Sequence, residues 1–384
     1  MVNTQEQTLK LSRAFGEPEF VAKHRQAAAK ILASQSMPTF KYGQGIVVKP
    51  RNFKLENLSI DAEIELVKIE SQPGVTLRAI SPKDSKYLFE TVNFSDNYFI
   101  NLQKAWFNRS AVLEIAPQTR LNKPIEIDLL LSKSSHIDYV LVLVGQGANV
   151  EIIEHQKSNQ PVFRSSLIEV VVGENAEVQY SLIQSLNLKS TAFDTRRSKV
   201  FANGRINWQY VLLGSDFHKL EIGANLVDQG AEAQSNGLIF GSGEQKFNIN
   251  NSTKHESPLT QSLMNLSGVA RDSSNLFAWG SIDIGALAKQ SVADEKIDML
   301  VMSEKAQANA IPDLFVATND VQCGHSASIS QLDSDKIFYL QSRGVDQRLA
   351  TKLLINGFIE PVVKNFKLDE RSQTIIHDKV NQIA

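Results

Sequence analysis

Four short stretches decide how this sequence folds: Gly147-Ala148-Asn149-Val150, Asn175-Ala176-Glu177-Val178, Asn203-Gly204-Arg205-Ile206 and Gly230-Ala231-Glu232-Ala233. Three of them run on into alternating polar and apolar residues: Glu151-Ile152-Ile153, Gln179-Tyr180-Ser181 and Asn207-Trp208-Gln209-Tyr210. Successive copies lie about 28 residues apart, each with a small or turn-forming residue at its start. A fixed period of this size predicts a solenoid in which each coil buries its apolar face on the next. Past Ala231 the spacing becomes irregular, and a β-sandwich with evenly spaced strands is the competing reading of the pattern.

Working outward, short runs rich in Val, Ile, Leu, Phe and Tyr (139–144, 166–172, 178–183, 206–213) alternate with turns over residues 46–330, where no long helical period interrupts them. This texture predicts a mainly β core. Before it, residues 1–45 form a helical arm. Glu17-Pro18-Glu19 places a proline and two carboxylates at a helix start, and Phe20, His24, Ala27 or Ala28, and Ile31 recur at helical spacing. Residues 331–384 form a helical domain. Asp333 or Ser334 caps a helix that runs through Ser342 and stops at Gly344. Asp346 caps a second, carrying Leu349, Leu353 and 355–359, until Pro361 interrupts it; a third carries Ile376, Val380 and Ile383.

A chain of 384 residues with 42% hydrophobic and 21% charged residues is a globular composition, not a disordered one. Its formal net charge of -2 predicts no general attraction to nucleic acid or to anionic membrane. The strongest apolar run is too short to span a bilayer, and the first 16 residues lack a continuous apolar stretch, so a cytoplasmic location is expected. The single cysteine, Cys323, excludes an internal disulfide or a multi-cysteine metal centre built by this chain alone.

The densest chemistry is Asp320-Val321-Gln322-Cys323-Gly324-His325-Ser326. On an extended strand Cys323 and His325 share a face, since side chains two apart align. A thiolate and an imidazole there suit a soft or borderline metal, with the remaining ligands supplied by a partner. A buried cysteine beside a satisfied histidine, or a Cys–His nucleophile pair, are the other readings. Glu151, Glu154 and His155 read as a solvated strand edge, 254–256 as a loop, and Gly241-Ser242-Gly243 as a turn lacking the lysine of a phosphate loop. Trp106, Trp208 and Trp279 read as core or interface anchors.

The segment Asp320-Val-Gln-Cys-Gly-His-Ser-Ala, followed by Gln331-Leu-Asp and Ile337-Phe-Tyr-Leu-Gln-Ser-Arg-Gly-Val345, resembles the SufB/SufD family of iron–sulfur cluster assembly scaffolds, and within it the SufD branch. Glu17-Pro18 and Met37-Pro38-Thr39 are similar to the family's opening segment. Gly324 and Ser326 depart from the serine and glycine usual beside His325. The resemblance implies a right-handed parallel β-helix and a non-catalytic scaffold, not an enzyme. It also implies pairing with a SufB-like subunit through the β-helix and with a SufC-like ATPase through the C-terminal helices. By the same resemblance, His325 and Cys323 fall at the cluster-assembly interface, and Ile337, Phe338, Tyr339, Leu340 and Arg343 on the SufC-docking helix. No cofactor is expected to stay on this chain alone; iron or an iron–sulfur cluster passes transiently through the SufB–SufD interface. A SufB-like stand-alone homodimer and a carbohydrate-active β-helix enzyme are the alternatives.

Overall fold

The computed structural model describes residues 4–42, 46–51, 58, 60, 61, 69–92 and 97–383. Two helices, α1 (Thr4–Phe15) and α2 (Glu19–Ser34), open the chain, followed by a small hairpin of β1 (Lys41–Tyr42) and β2 (Ile46–Val47). A short strand, β3 (Val75–Arg78), and a third helix, α3 (Tyr98–Trp106), precede the main stack. That stack alternates between two sheets, so that each coil contributes one strand to each.

The first sheet holds β4 (Arg109–Ile115), β6 (Ser135–Val144), β8 (Phe163–Val172), β10 (Thr191–Val200), β12 (Phe217–Leu226), β14 (Lys246–His255), β16 (Asn275–Ile284) and β18 (Gln307–Val316), with β3 antiparallel beyond β4. The second holds β5 (Ile125–Leu130), β7 (Asn149–Lys157), β9 (Glu177–Ser185), β11 (Arg205–Leu212), β13 (Glu232–Gly241), β15 (Gln261–Ala270), β17 (Ser291–Val301) and β19 (Val321–Gln331). Every pairing from β4 onward is parallel. The structure is a parallel β-solenoid, not a sandwich. The parallel stack starts at Arg109, and the stretch before it contains α3, a helix that the apolar texture of the sequence does not announce. The boundary expected at residue 45 lies outside the described residues.

The quoted repeat starts are the corners from the first sheet into the second. Gln118, Gly147, Asn175, Asn203, Gly230, Leu259 and Gln290 all adopt left-handed backbone, with φ between 53° and 70°. That geometry turns each N–H along the stack. The seven donate in order to the carbonyls of Gln146, Glu174, Ala202, Gln229, Pro258, Lys289 and Asp320, one coil further on. The repeat therefore continues past Ala231. It drops from view because Leu259 and Gln290 occupy a conformation that glycine and asparagine adopt at lower cost.

Between the sheets runs an apolar core that includes Val150, Val178, Ile206, Trp208, Ile249 and Met299. Within the early coils it encloses a buried ionic network. Arg109 holds Asp138 through two hydrogen bonds of 2.6 and 2.9 Å, and Arg164 bonds Asp138 from the next coil. Glu154 receives Arg196 at 2.9 Å and the Tyr180 hydroxyl at 2.8 Å. Burial alone would raise the Asp138 carboxyl, but Arg109 and Arg164 outweigh it and hold it well below the usual carboxylate range. Glu154 and His155 are thus buried and not solvated, because the register turns Glu154 inward and the C-terminal segment covers His155 at Asp369. His255 is likewise strand, buried between the hydroxyls of Thr260 and Ser262.

Both outer faces are covered. On the first sheet α1–α3 pack through Leu11, Val21, Leu32, Phe99 and Trp106 against Tyr139, Leu167 and Phe193, with the Phe99 and Phe193 rings stacked 3.7 Å apart. The buried face of α2 is Val21, Arg25, Ala28, Ala29 and Leu32, displaced from the Phe20–His24–Ile31 stripe. The charge on Arg25 disguises this face in the sequence. Its guanidinium is neutralised by Glu17 and bonded to the carbonyls of Ala105 and Phe107. On the second sheet, α5 (Gln347–Val363) and α6 (Glu370–Ile383) bury Ile355, Ile359, Ile376, Val380 and Ile383 against Val211, Leu238 and Val269. Pro361 does not stop α5, which runs on to Val363; the proline sits close enough to the end to cost little pairing.

Candidate functional site

The last coil is unfinished. β18 pairs only with β16, and β19 only with β17, so both strands present a free edge among the described residues. Their side chains are half-buried or exposed, including Phe315, Val316 and Ile329, whereas Ile284 and Met299, which register with Val316 and Ile329 one coil earlier, are fully buried. Unpaired edges with exposed apolar side chains are a ready template for another chain.

Cys323 and His325 lie on β19, and alternation places both on the inward face, as the sequence spacing requires. Cys323 is half-buried and packs on the small cluster of Met264, Ile282, Ile284, Ala288 and Ala293. His325 is exposed at the mouth of the solenoid. In β17, Ala293 registers with Cys323 and Glu295 with His325. Inward positions of β16 and β18 are Ala278, Gly280, Ile282, Ala310, Pro312 and Leu314, none of them ionisable. In the last two coils the inward ionisable side chains are therefore Glu295, Cys323 and His325 alone.

Glu295 is 1% exposed. Its carboxyl fits only because Gly280 faces it: a Cβ there would sit 1.1 Å from the Glu295 Oε1. Desolvation, reinforced by Asp313 and Asp294, raises this carboxyl to about 8. The other oxygen, Oε2, is buried without a hydrogen-bond partner. Asp294-Glu295-Lys296 looks like a solvated charge run, and only the register reveals that its middle member points inward while its neighbours are exposed. Among the described residues, no three His, Cys, Asp or Glu side chains stand together in a way that could hold a metal ion.

From β19 the chain passes directly into α4 (Ser334–Ser342), capped by Asp333, whose carboxylate accepts the N–H groups of Asp335 and Lys336. This helix buries none of its residues. Phe338 and Tyr339 are 72% and 58% exposed, Ile337 and Leu340 are half-buried, and Arg343 lies over the Tyr339 ring at 5.4 Å. The helix ends in the left-handed Gly344. Cys323 and His325 thus form one patch on the open coil, and Ile337, Phe338, Tyr339 and Leu340 of α4 with Arg343 at its C-cap form a second, beyond the far end of the same strand. No helix among the described residues is long and apolar enough to cross a membrane.

A two-sheet parallel solenoid with an open terminal coil, a Cys-x-His pair on its free edge and a bare helix beside it defines a β-solenoid protein with an unfinished end. Residues 130–358 match the family described as SUF system FeS cluster assembly, SufBD core domain, and the chain belongs to that family. Similar relatives are the iron–sulfur cluster assembly SufBD family proteins of Staphylococcus aureus strain MRSA252 and of Staphylococcus saprophyticus, each 24% identical over 291 residues. The match covers 74% of this chain and 62% of each relative's length.

Proposed function

We propose that this chain is a SufD-type scaffold subunit, without catalytic activity of its own, that pairs through its open coil with a SufB-like subunit. The reading rests above all on the placement of Cys323 and His325 on an unpaired edge strand, next to exposed apolar side chains that a partner would cover. Two donors cannot close a metal site, so a partner strand supplies the remaining ligands to the iron or nascent cluster, which is cargo at the interface. The exposed face of α4, with Phe338, Tyr339 and Arg343, is the docking surface for a SufC-like ATPase, and nucleotide-driven movement there reaches β19 through the single connector Leu332-Asp333. A soluble, cytoplasmic setting fits this role.

The test is anaerobic co-purification of the tagged chain with its organism's SufB and SufC candidates, comparing wild type with His325→Ala. A stable complex in which only the variant fails to accumulate iron and sulfide supports the proposal. Normal loading of the variant removes His325 from the site while keeping the partners. Absence of a complex, or recovery of the chain solely as a dimer of itself, overturns the SufD-type reading.

A further inference from the structure

The structure assigns Glu295 to the open-coil site as the positioning residue of His325: its carboxyl group holds one ring nitrogen so that the other faces outward. This rests on the assembly reading above and names a residue which that reading does not supply. Registered partners on neighbouring parallel strands are about 4.8 Å apart, and side chains at paired positions point the same way. Glu295 and His325 are such a pair, both on the inward face. Around them the floor of the mouth offers only Ala278, Gly280, Ile282, Ala293, Ile297, Ala310 and Pro312 side chains, none of which can hydrogen-bond an imidazole.

Two features set Glu295 apart from a structural carboxylate. In the early coils Asp138 and Glu154 are bonded by arginines and Glu169 is held by Phe89, Thr91 and Tyr139, whereas Glu295 has no cation beside it and keeps Oε2 buried without a partner. A buried polar atom left unsatisfied is costly, and each one calls for a reason, use by a site among them. Gly280, in addition, leaves the space in which the carboxyl sits. Histidines that ligate metals commonly give their second ring nitrogen to a carboxylate, which fixes ring orientation and tautomer. Oε2 is the acceptor that such an arrangement needs. When the outward nitrogen binds a cation, the ring proton resides on the inward nitrogen, and Glu295, its own proton released to solvent, accepts that N–H as a carboxylate.

The experiment uses the full chain carrying 15N-labelled histidine, with His325 assigned by loss of its signals in His325→Gln. Long-range 1H–15N spectra between pH 6 and 9 report the tautomer. Wild type is expected to show one dominant His325 tautomer, and Glu295→Met, which fills a similar volume without an acceptor, the mixed tautomers of a free imidazole. A parallel measurement follows iron and sulfide in the co-purified complex, where Glu295→Met is expected to lower loading by about 10- to 100-fold while the complex still forms. Identical His325 spectra in wild type and Glu295→Met overturn the assignment. So does unchanged loading by Glu295→Met when His325→Ala abolishes it. If His325→Ala loads normally but the tautomer change is present, the pair stands and the assembly reading falls. Should Glu295→Met fail to fold, Glu295→Ala, which also lacks an acceptor, is read by the same spectra, and a wild-type-like tautomer in it overturns the pairing.

Discussion

At the scale of single residues, charge within the solenoid is arranged in two contrasting ways. Asp138 sits between Arg109 and Arg164, and removing its charge takes a shared carboxylate away from two buried guanidinium groups. Asp138→Asn is expected to cost about 3–5 kcal/mol in urea unfolding, with the loss concentrated above the unfolded carboxylate pKa. As pH falls from there toward the strongly depressed folded value the difference shrinks, and it disappears only where Asp138 is protonated in both the folded and the unfolded chain. Glu295 has the opposite sign. Its carboxyl is raised to about 8 in the folded chain, so the stability tied to its protonated form is complete below the unfolded value and is lost as pH rises through 8. Wild type should therefore lose on the order of 2–4 kcal/mol between pH 5 and pH 9 relative to Glu295→Gln, measured as the difference in denaturant midpoints. Equal slopes for the two proteins would show that Glu295 is not buried neutral. Neither environment is visible in the sequence: Asp138, Glu154 and Glu295 resemble any surface acid until strand register decides which way they point.

Individual elements show what makes a repeat legible. Gly147, Asn175, Asn203 and Gly230 mark their corners because glycine and asparagine tolerate left-handed backbone, and the sequence period was readable at those four coils. Leu259 and Gln290 hold the same conformation with side chains that disfavour it, so the same corner carries no sequence signal. Leu259→Gly and Gln290→Gly are each expected to raise stability, by roughly 0.5–1 kcal/mol, while Gly230→Ala should lower it by about 1–2 kcal/mol. Thermal midpoints of the three variants check this together. The C-terminal caps were equally readable: Asp333 and Asp346 accept the backbone N–H groups that a helix start leaves unpaired. Less readable was the buried face of α2, because Arg25 interrupts an apolar stripe with a charge that only Glu17 and two distant carbonyls neutralise.

For the whole molecule, the two outer faces and the open end divide the work. Helices α1–α3 and α5–α6 cover the sheets, leaving α4 and the last coil as the principal exposed apolar surfaces at the C-terminal end. Phe338→Asp combined with Tyr339→Asp should abolish binding of the ATPase candidate without moving the thermal midpoint, since neither side chain supports the core. Retained binding would place that surface elsewhere. Cys323 and His325 could be singled out from the sequence because strand alternation alone puts them on one face. Glu295 could not, because its membership depends on a strand 30 residues earlier in the chain falling into register beneath them.

The two ends of the solenoid are not complementary. At the start, the first sheet finishes in β3, four residues long and antiparallel, whereas the far end finishes in two long parallel strands, β18 and β19. A second solenoid arriving at the open coil finds two parallel edges to extend, but among the described residues its own start offers only one, β5, beside the antiparallel β3. Contact through the open coils would then be end to like end, related by a two-fold axis or a near two-fold one when the partner is a paralogue. Stacking that could have continued without limit, as in a fibre, would stop at a count of two, and the antiparallel strand at one end would act as a limit on stoichiometry at the other.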